Sequence, residues 1–334
     1  MRMDRAQAES LLGKMRGHRV AVLGDLMLDE YLFGEVSRIS PEAPVPIVRV
    51  NRERAVLGGA ANGAANLKSI GAEPVLLGTL QRDAAGSRLQ ALLLEVGIRT
   101  DWLVIDPSRP TIIKTRVIGQ QQQMLRIDRE EEGGCQPAAV EALCARLGEA
   151  LERASALIIS DYAKGVVCLE LMDRVRDLCR ARGIPWIVDP KPDHAEFYRG
   201  APLMTPNTKE LAALTGMPAK GDEDLAAAGR ALMARLELQG LLVTRSERGM
   251  ALFATDEKHQ APWMIPTEAR EVFDVSGAGD TVIAVFSAAI STGADWQDAA
   301  MLANAAAGVV VGKMGTATAT PAEVLRHYQD QEAL

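Results

Sequence analysis

Residues 156–192, ALIISDYAKGVVCLELMDRVRDLCRARGIPWIVDPKP, decide the fold class. A short apolar run, ALIIS, ends at Asp161. LELMDRVRDLCRARG (169–183) follows, with apolar residues at helical spacing and a glycine at its end. A second apolar run, IPWIVD, then stops at Asp189. Strand, helix and strand in this rhythm predict parallel strands joined by a crossover helix.

The same rhythm extends in both directions. HRVAVLGD (18–25) and GLLVTRSERG (240–249) read as further buried strands, and PAAVEALCARLGEALERA (137–154) as a helix. The 334 residues are 48% hydrophobic but only 4% aromatic, so aliphatic side chains must fill the core. The expected class is therefore α/β: a doubly wound, mostly parallel sheet flanked by helices, as one domain over residues 1–334. Ligands in such sheets bind beyond the carboxyl ends of the strands. Asp25, Asp161, Lys164, Asp189 and Lys191 all fall at such ends and can converge on one crevice. Two stretches break the rhythm: 31–57, with three prolines and short β-prone runs, and 110–128, which alternates. Both are expected to build a small β-rich lid inserted into the main fold.

Charge narrows the partners. The net charge of −7 carries no basic stripe, which argues against nucleic acid or an anionic membrane as the main partner. The four cysteines show no CxxC spacing and suit a reducing compartment. The first twenty residues lack the apolar core of a signal peptide, and no apolar run approaches a membrane span. A cytoplasmic protein is expected.

The chemistry concentrates in DVSGAGDTV (274–282), which runs directly into the apolar helical stretch VIAVFSAAI. Gly277, Ala278 and Gly279 place small residues at a helix start, where backbone N–H groups are unpaired and carry partial positive charge. That is an anion site suited to phosphate. Asp280 follows in the first turn, where a carboxylate is favoured as the anion and can accept a proton from an attacking hydroxyl. The combination points to phosphoryl transfer, with Asp280 as base and the 277–279 amides as an anion hole. A Walker GxxxxGK[ST] pattern is absent, and 24–29 reads GDLMLD rather than GxGxxG, which disfavours a nicotinamide dehydrogenase.

These residues resemble the ribokinase-like carbohydrate kinases, the PfkB family, over nearly the whole chain and in the same motif order. DVSGAGDT is similar to the family's C-terminal signature and GGAANGAAN (58–66) to its N-terminal one. The resemblance implies ATP and Mg²⁺ as cofactors and leaves a monovalent cation open. It implies sugar contacts from Asp29, Gly58, Gly59 and Asn62. It further implies that Asn207 and Glu210 of PNTKE organise Mg²⁺ through water, in keeping with that ion's retained hydration. Thr244, Ser246 and Gly249 of VTRSERG, with Asp274, Ser276, Gly277, Gly279 and Asn304, are expected near the nucleotide.

Within the family, SRISPEAPVPIVRV (37–50), SDYAKG (160–165) and VDPKP (188–192) are similar to the kinases of the lipopolysaccharide heptose pathway. The implied reaction phosphorylates O1 of D-glycero-β-D-manno-heptose 7-phosphate, toward ADP-heptose and the lipopolysaccharide core. Members with a second, nucleotidyltransferase domain carry HxGH, which none of the four histidines here forms. The chain therefore reads as the kinase alone, with the later step falling to another protein. Lys164, Lys191, Arg38, Arg116 and Arg126 are the candidates for holding the substrate's existing phosphate. A homodimer through the lid is expected, since a small two-sided sheet buries little by itself. The competing readings are a kinase for another sugar phosphate or a nucleoside, and a non-catalytic sugar- or nucleotide-sensing protein. The presence of Asp280, Asn207 and Glu210 counts against the sensor.

Overall fold

The first strand, β1 (Arg19–Gly24), is apolar because both of its faces are covered. Val20 and Val22 pack into one hydrophobic layer, and Ala21 and Leu23 into another. The computed structural model describes residues 3–120, 122–255, 261–269 and 272–332. Its main sheet has eight strands. β1 lies between β4 (Glu73–Leu77) and β9 (Ala156–Ser160). β10 (Trp186–Asp189), β11 (Leu203–Met204) and β12 (Gly240–Thr244) continue from β9, all parallel. β13 (Met250–Ala254) and β14 (Trp263–Ile265) close that edge antiparallel. β5 (Thr79–Leu80) and β6 (Val104–Ile105) form a small separate pair.

Helices cover both faces. On the Val20 side pack α1 (Arg5–Met15), α2 (Ala60–Ser69), α3 (Ala84–Glu95), α8 (Ala278–Ile290), α9 (Trp296–Val311) and α10 (Pro321–Glu332). On the Leu23 side pack α4 (Pro137–Ala150), α5 (Leu169–Arg182), α6 (Thr208–Thr215) and α7 (Asp222–Leu236). α5 closes on Gly183 in the left-handed conformation, the helix stop expected from the sequence. α4 ends at Ala150 rather than 154, and α1, which no sequence reading anticipated, opens on a capping box formed by Asp4 and Gln7.

The two β-prone segments pair with each other in a four-stranded sheet, ordered β3–β2–β7–β8. β2 (Leu26–Ile39) leaves β1 with only Asp25 between them, and β3 (Pro46–Gly59) returns antiparallel to it. β7 (Ile112–Gly119) and β8 (Gln122–Arg129) complete it; Gln121, between them, lies outside the described residues. The sheet begins earlier than the sequence suggested, at residue 26, because Leu26, Met27 and Leu28 root it in the core. Asp29 thus sits within a strand. At the far end Ile39 and Val45 are exposed, as are Met124, Leu125 and Ile127 on β8. The sheet rises from the carboxyl edge of the main sheet, where Asp25, Asp161 and Asp189 also lie.

Candidate active site

Asp280 is buried at the third position of α8, with Gly277 as its N-cap. Two side chains donate to its carboxylate: Asn62 Nδ2 to Oδ2 at 2.7 Å and Tyr162 Oη to Oδ1 at 2.9 Å. Burial pushes the Asp280 carboxyl up to about 6, although those two hydrogen bonds and Lys191 pull the other way. Desolvation therefore outweighs the favourable helix end, the reverse of the sequence expectation that the position favours the anion. A carboxylate titrating near neutrality is matched to proton abstraction. The network continues through Asn62: Asn66 Nδ2 donates to its carbonyl at 3.0 Å, and Thr281 Oγ1 donates to Asn66 Oδ1 at 2.8 Å. These bonds lock α2 against α8.

The amides at the start of α8 are not equivalent. Ala278 N–H turns back to Val275 O at 3.2 Å, whereas no protein acceptor among the described residues meets the N–H groups of Gly277 and Gly279. Asp274 and Ser276 act one step back. Asp274 Oδ1 accepts from Ser276 N–H at 2.9 Å and Oδ2 from Gly315 N–H at 3.0 Å, which ties the 272–276 and 312–316 loops together.

Behind α8 lies a slot of about 360 Å³. Asn207, Thr244, Ser246, Gly249, Ala278, Gly279 and Asn304 all line it, with Val272, Val275, Val282 and Val311 supplying an apolar wall. A slot with one apolar side and backbone amides at one end suits a base at one end and phosphates at the other. Asn304 Nδ2 is fixed by Pro266 O at 2.7 Å. Asn207 and Glu210 form a capping box on α6, and Glu210 Oε1 is 3.8 Å from Lys191 Nζ. No group of three or more His, Cys, Asp or Glu capable of holding a metal occurs among the described residues.

On the other side of Asp280, Asp29 is buried and receives Arg116 Nη1 on Oδ1 at 2.5 Å. A Cβ on Gly58 would stand 2.6 Å from Asp29 Oδ2, so only glycine leaves that oxygen approachable. Gly59 caps α2, the helix that carries Asn62. The five basic candidates separate. Lys164 pairs with Glu130 at 2.6 Å, and Arg126 pairs with Asp128 at 2.9 Å in an exposed network that includes Lys114. Arg38 is exposed near the far end of β2. Lys191 stands beside Glu210, its Nζ 5.3 Å from the Tyr162 ring centroid. Arg116 is the basic residue that the structure brings to Asp29.

A buried carboxylate between an open helix end and the glycine-lined Asp29 is an arrangement suited to a phosphotransferase, and comparison with known proteins agrees. The model of the pfkB family of carbohydrate kinases matches residues 18–323. The chain belongs to that family. It is a phosphotransferase with an alcohol group as acceptor. The chain is 47% identical to a D-beta-D-heptose 7-phosphate kinase of Bordetella bronchiseptica, over 92% of this chain and 95% of that one. It is 46% identical to a bifunctional protein HldE of Gluconacetobacter diazotrophicus, over 94% of this chain and 64% of the relative's length. Among solved structures, ribokinase of Arabidopsis thaliana complexed with ribose and ATP shares the fold with a TM-score of 0.75 at 22% identity, covering 94% of this chain and 99% of that one. Phosphofructokinase-2 of Escherichia coli in complex with substrates and products aligns with a TM-score of 0.76 at 18% identity, covering 94% and 99%. Among the described residues no helix is long and apolar enough to cross a membrane.

Two residues of this kinase's crevice carried no role in the sequence reading. Tyr162 was visible only as part of SDYAKG, and nothing in that string announces a bond to a residue 118 positions away. Asp189 was expected at a strand end facing the crevice, with no chemical part assigned to it. Its carboxyl is pushed well above the usual range by burial first and then by the charges of Asp280 and Glu210, so it belongs to the same electrostatic cluster.

Proposed function

We propose that this kinase transfers the γ-phosphoryl group of ATP to O1 of D-glycero-β-D-manno-heptose 7-phosphate, giving the 1,7-bisphosphate and ADP. The observation that carries the chemistry is Asp280, buried, held by Asn62 and Tyr162, and titrating near neutrality beside the open amides of Gly277 and Gly279. The substrate is argued from the likeness to the Bordetella bronchiseptica kinase over nearly both full chains.

In this reading the sugar lies against Gly58, Gly59 and Asn62, with its hydroxyls on the free oxygen of Asp29. Arg116, which spends one Nη on Asp29, offers its remaining N–H groups to the 7-phosphate. ATP occupies the slot lined by Thr244, Ser246, Gly249 and Asn304. Asp280 takes the O1 proton. O1 bonds to the γ-phosphorus as the bond to the β–γ bridging oxygen breaks, and the open amides and Lys191 face the charge that develops.

Asn207 and Glu210 fit a hydrated ion rather than a directly bound one. Asn207 Oδ1 already accepts from two amides, while Glu210 Oε1 remains open to a water. They would hold Mg²⁺ through its waters, and when bound it supplies charge neutralisation on the phosphates. The four-stranded sheet acts as a lid that excludes water from the transfer, and Met124, Leu125 and Ile127 on its exposed outer strand suit a homodimer through the lid. The reaction belongs in the cytoplasm, where ATP is available.

The test is ADP release from ATP–Mg²⁺ with a panel of the heptose 7-phosphate, fructose 6-phosphate, ribose and adenosine. Selective turnover of the heptose phosphate is expected. Turnover of another member alone would replace the substrate, and silence across the panel would favour a sensing protein.

A further inference from the structure

We propose that Tyr162 is the positioning residue of the catalytic base, holding Asp280 ionised and aimed through its hydroxyl. This deepens the reading of Asp280 as the base and rests on it. Tyr162 Oη donates to Asp280 Oδ1 at 2.9 Å while Asn62 occupies Oδ2. A carboxylate has two acceptor directions on each oxygen. One donor per oxygen therefore fixes the plane of the group and leaves each oxygen a second direction for the substrate hydroxyl. Burial pushes the Tyr162 hydroxyl well above its ordinary value, so it stays protonated and remains a donor at every working pH.

What makes this a built device is how Tyr162 is held. Asp25, fully buried, accepts the N–H groups of Tyr162, Lys164 and Val166 at 2.9, 3.0 and 3.0 Å. One carboxylate thus pins the whole 162–166 loop to the end of β1. The neighbouring Asp161, also buried, accepts from Ala163 N–H and from the Tyr198 hydroxyl, and pairs with His194 Nδ1 at 2.6 Å. The loop is over-determined from two sides. A surface loop with no task would not need two buried carboxylates, each costly to desolvate. The charged groups acting on Asp280 come from two elements: Asp29 from β2, and Lys191 and Asp189 from the end of β10. Tyr162 and Asn62 are the groups that touch it.

The test reads Asp280 directly. Protein labelled at its aspartate carboxyl carbons is titrated by NMR without nucleotide or sugar, and the Asp280 signal is identified as the one lost in Asp280→Asn. Tyr162→Phe keeps the ring and removes the donor, so the Asp280 midpoint should rise by about one pH unit. The acid limb of kcat/KM should move with it, while KM for ATP stays within about twofold. Fluorotyrosine at position 162 keeps the hydroxyl but makes it a stronger donor, so the midpoint should fall. A midpoint unmoved in both proteins overturns the inference. Because that readout needs no substrate, it is independent of the proposed function, which fails separately if Asp280→Asn keeps its turnover or the heptose phosphate is not phosphorylated.

Discussion

A Cβ on Gly277 would lie 2.8 Å from Asn62 Nδ2, the nitrogen that donates to Asp280. The two residues come from α2 and the start of α8, and their contact sets where the base points. Gly277 also has φ of +79°, a region that side chains rarely adopt. Gly277→Ala should therefore do two separable things. It should cost about 1 kcal/mol of stability from the backbone alone. It should also push the Asn62 amide off Asp280 and lower kcat by roughly tenfold or more, as misplaced catalytic groups do. Urea unfolding and steady-state kinetics on the same variant separate the two effects. Loss of stability with kcat intact would mean that Asn62 does not orient the base.

Asp280→Asn tests the base itself. The expected loss in kcat is about 10² to 10⁴-fold, the usual contribution of a positioned general base, with ATP binding retained. In the unaltered kinase, kcat/KM should rise with pH through an apparent midpoint near the value of about 6 to which burial brings Asp280. A flat profile between pH 5 and pH 8 would remove Asp280 from that role.

The main sheet and the helix carrying Asp280 were legible because each rests on a local pattern: apolar runs ending in Asp161 and Asp189, and small residues before VIAVFSAAI. The slot residues Thr244, Ser246, Gly249 and Asn304 were reached only through resemblance, since no periodicity brings positions 244 and 304 together. What stayed hidden was pairing between distant residues. Lys164 looked free for a phosphate, but Glu130, just after β8 of the four-stranded sheet, takes it. Arg116 and Arg126 looked alike in sequence, yet their side chains end respectively at the buried Asp29 and the exposed Asp128. The two stand opposite each other across β7 and β8, so strand position decides the difference: β7 lies beside β2, which carries Asp29, whereas β8 is the outer strand.

The elevated carboxyl of Asp280 also has a stability consequence of fixed sign. Its folded value of about 6 lies above the ordinary 3.8, so the folded state binds this proton more tightly. The resulting stabilisation is complete below about pH 3.8 and disappears as pH rises through about 6. The full difference is on the order of 3 kcal/mol, and roughly half of it falls between pH 5 and pH 8. Asp280→Asn removes the charge. Its stability relative to the parent should therefore improve on going from pH 5 to pH 8, even though the altered hydrogen bonds cost the same at both. Urea unfolding at the two pH values reads this directly. A relative stability that does not change with pH would mean that burial costs the ionised carboxylate little.

Arg116 and Arg126 together provide the sharpest test of where the sugar phosphate sits. Arg116 is largely buried and paired with Asp29 at 2.5 Å, and in the proposed reading its remaining donors hold the sugar phosphate. Arg126 is about half exposed and paired with Asp128, a type of pair worth well under 1 kcal/mol. Arg116→Met should raise KM for the heptose phosphate by roughly ten- to a hundredfold and leave KM for ATP unchanged, because a lost charge-assisted hydrogen bond costs about 1.5 to 3 kcal/mol. It should also destabilise the fold, since Asp29 is left buried without its partner. Arg116→Lys keeps the charge but not the fork, and should recover stability more fully than affinity. Arg126→Met should change neither KM by more than about twofold. If Arg126→Met is the variant that loses sugar affinity and Arg116→Met does not, the phosphate lies toward the outer strand of the lid, and Arg116 serves only to hold Asp29.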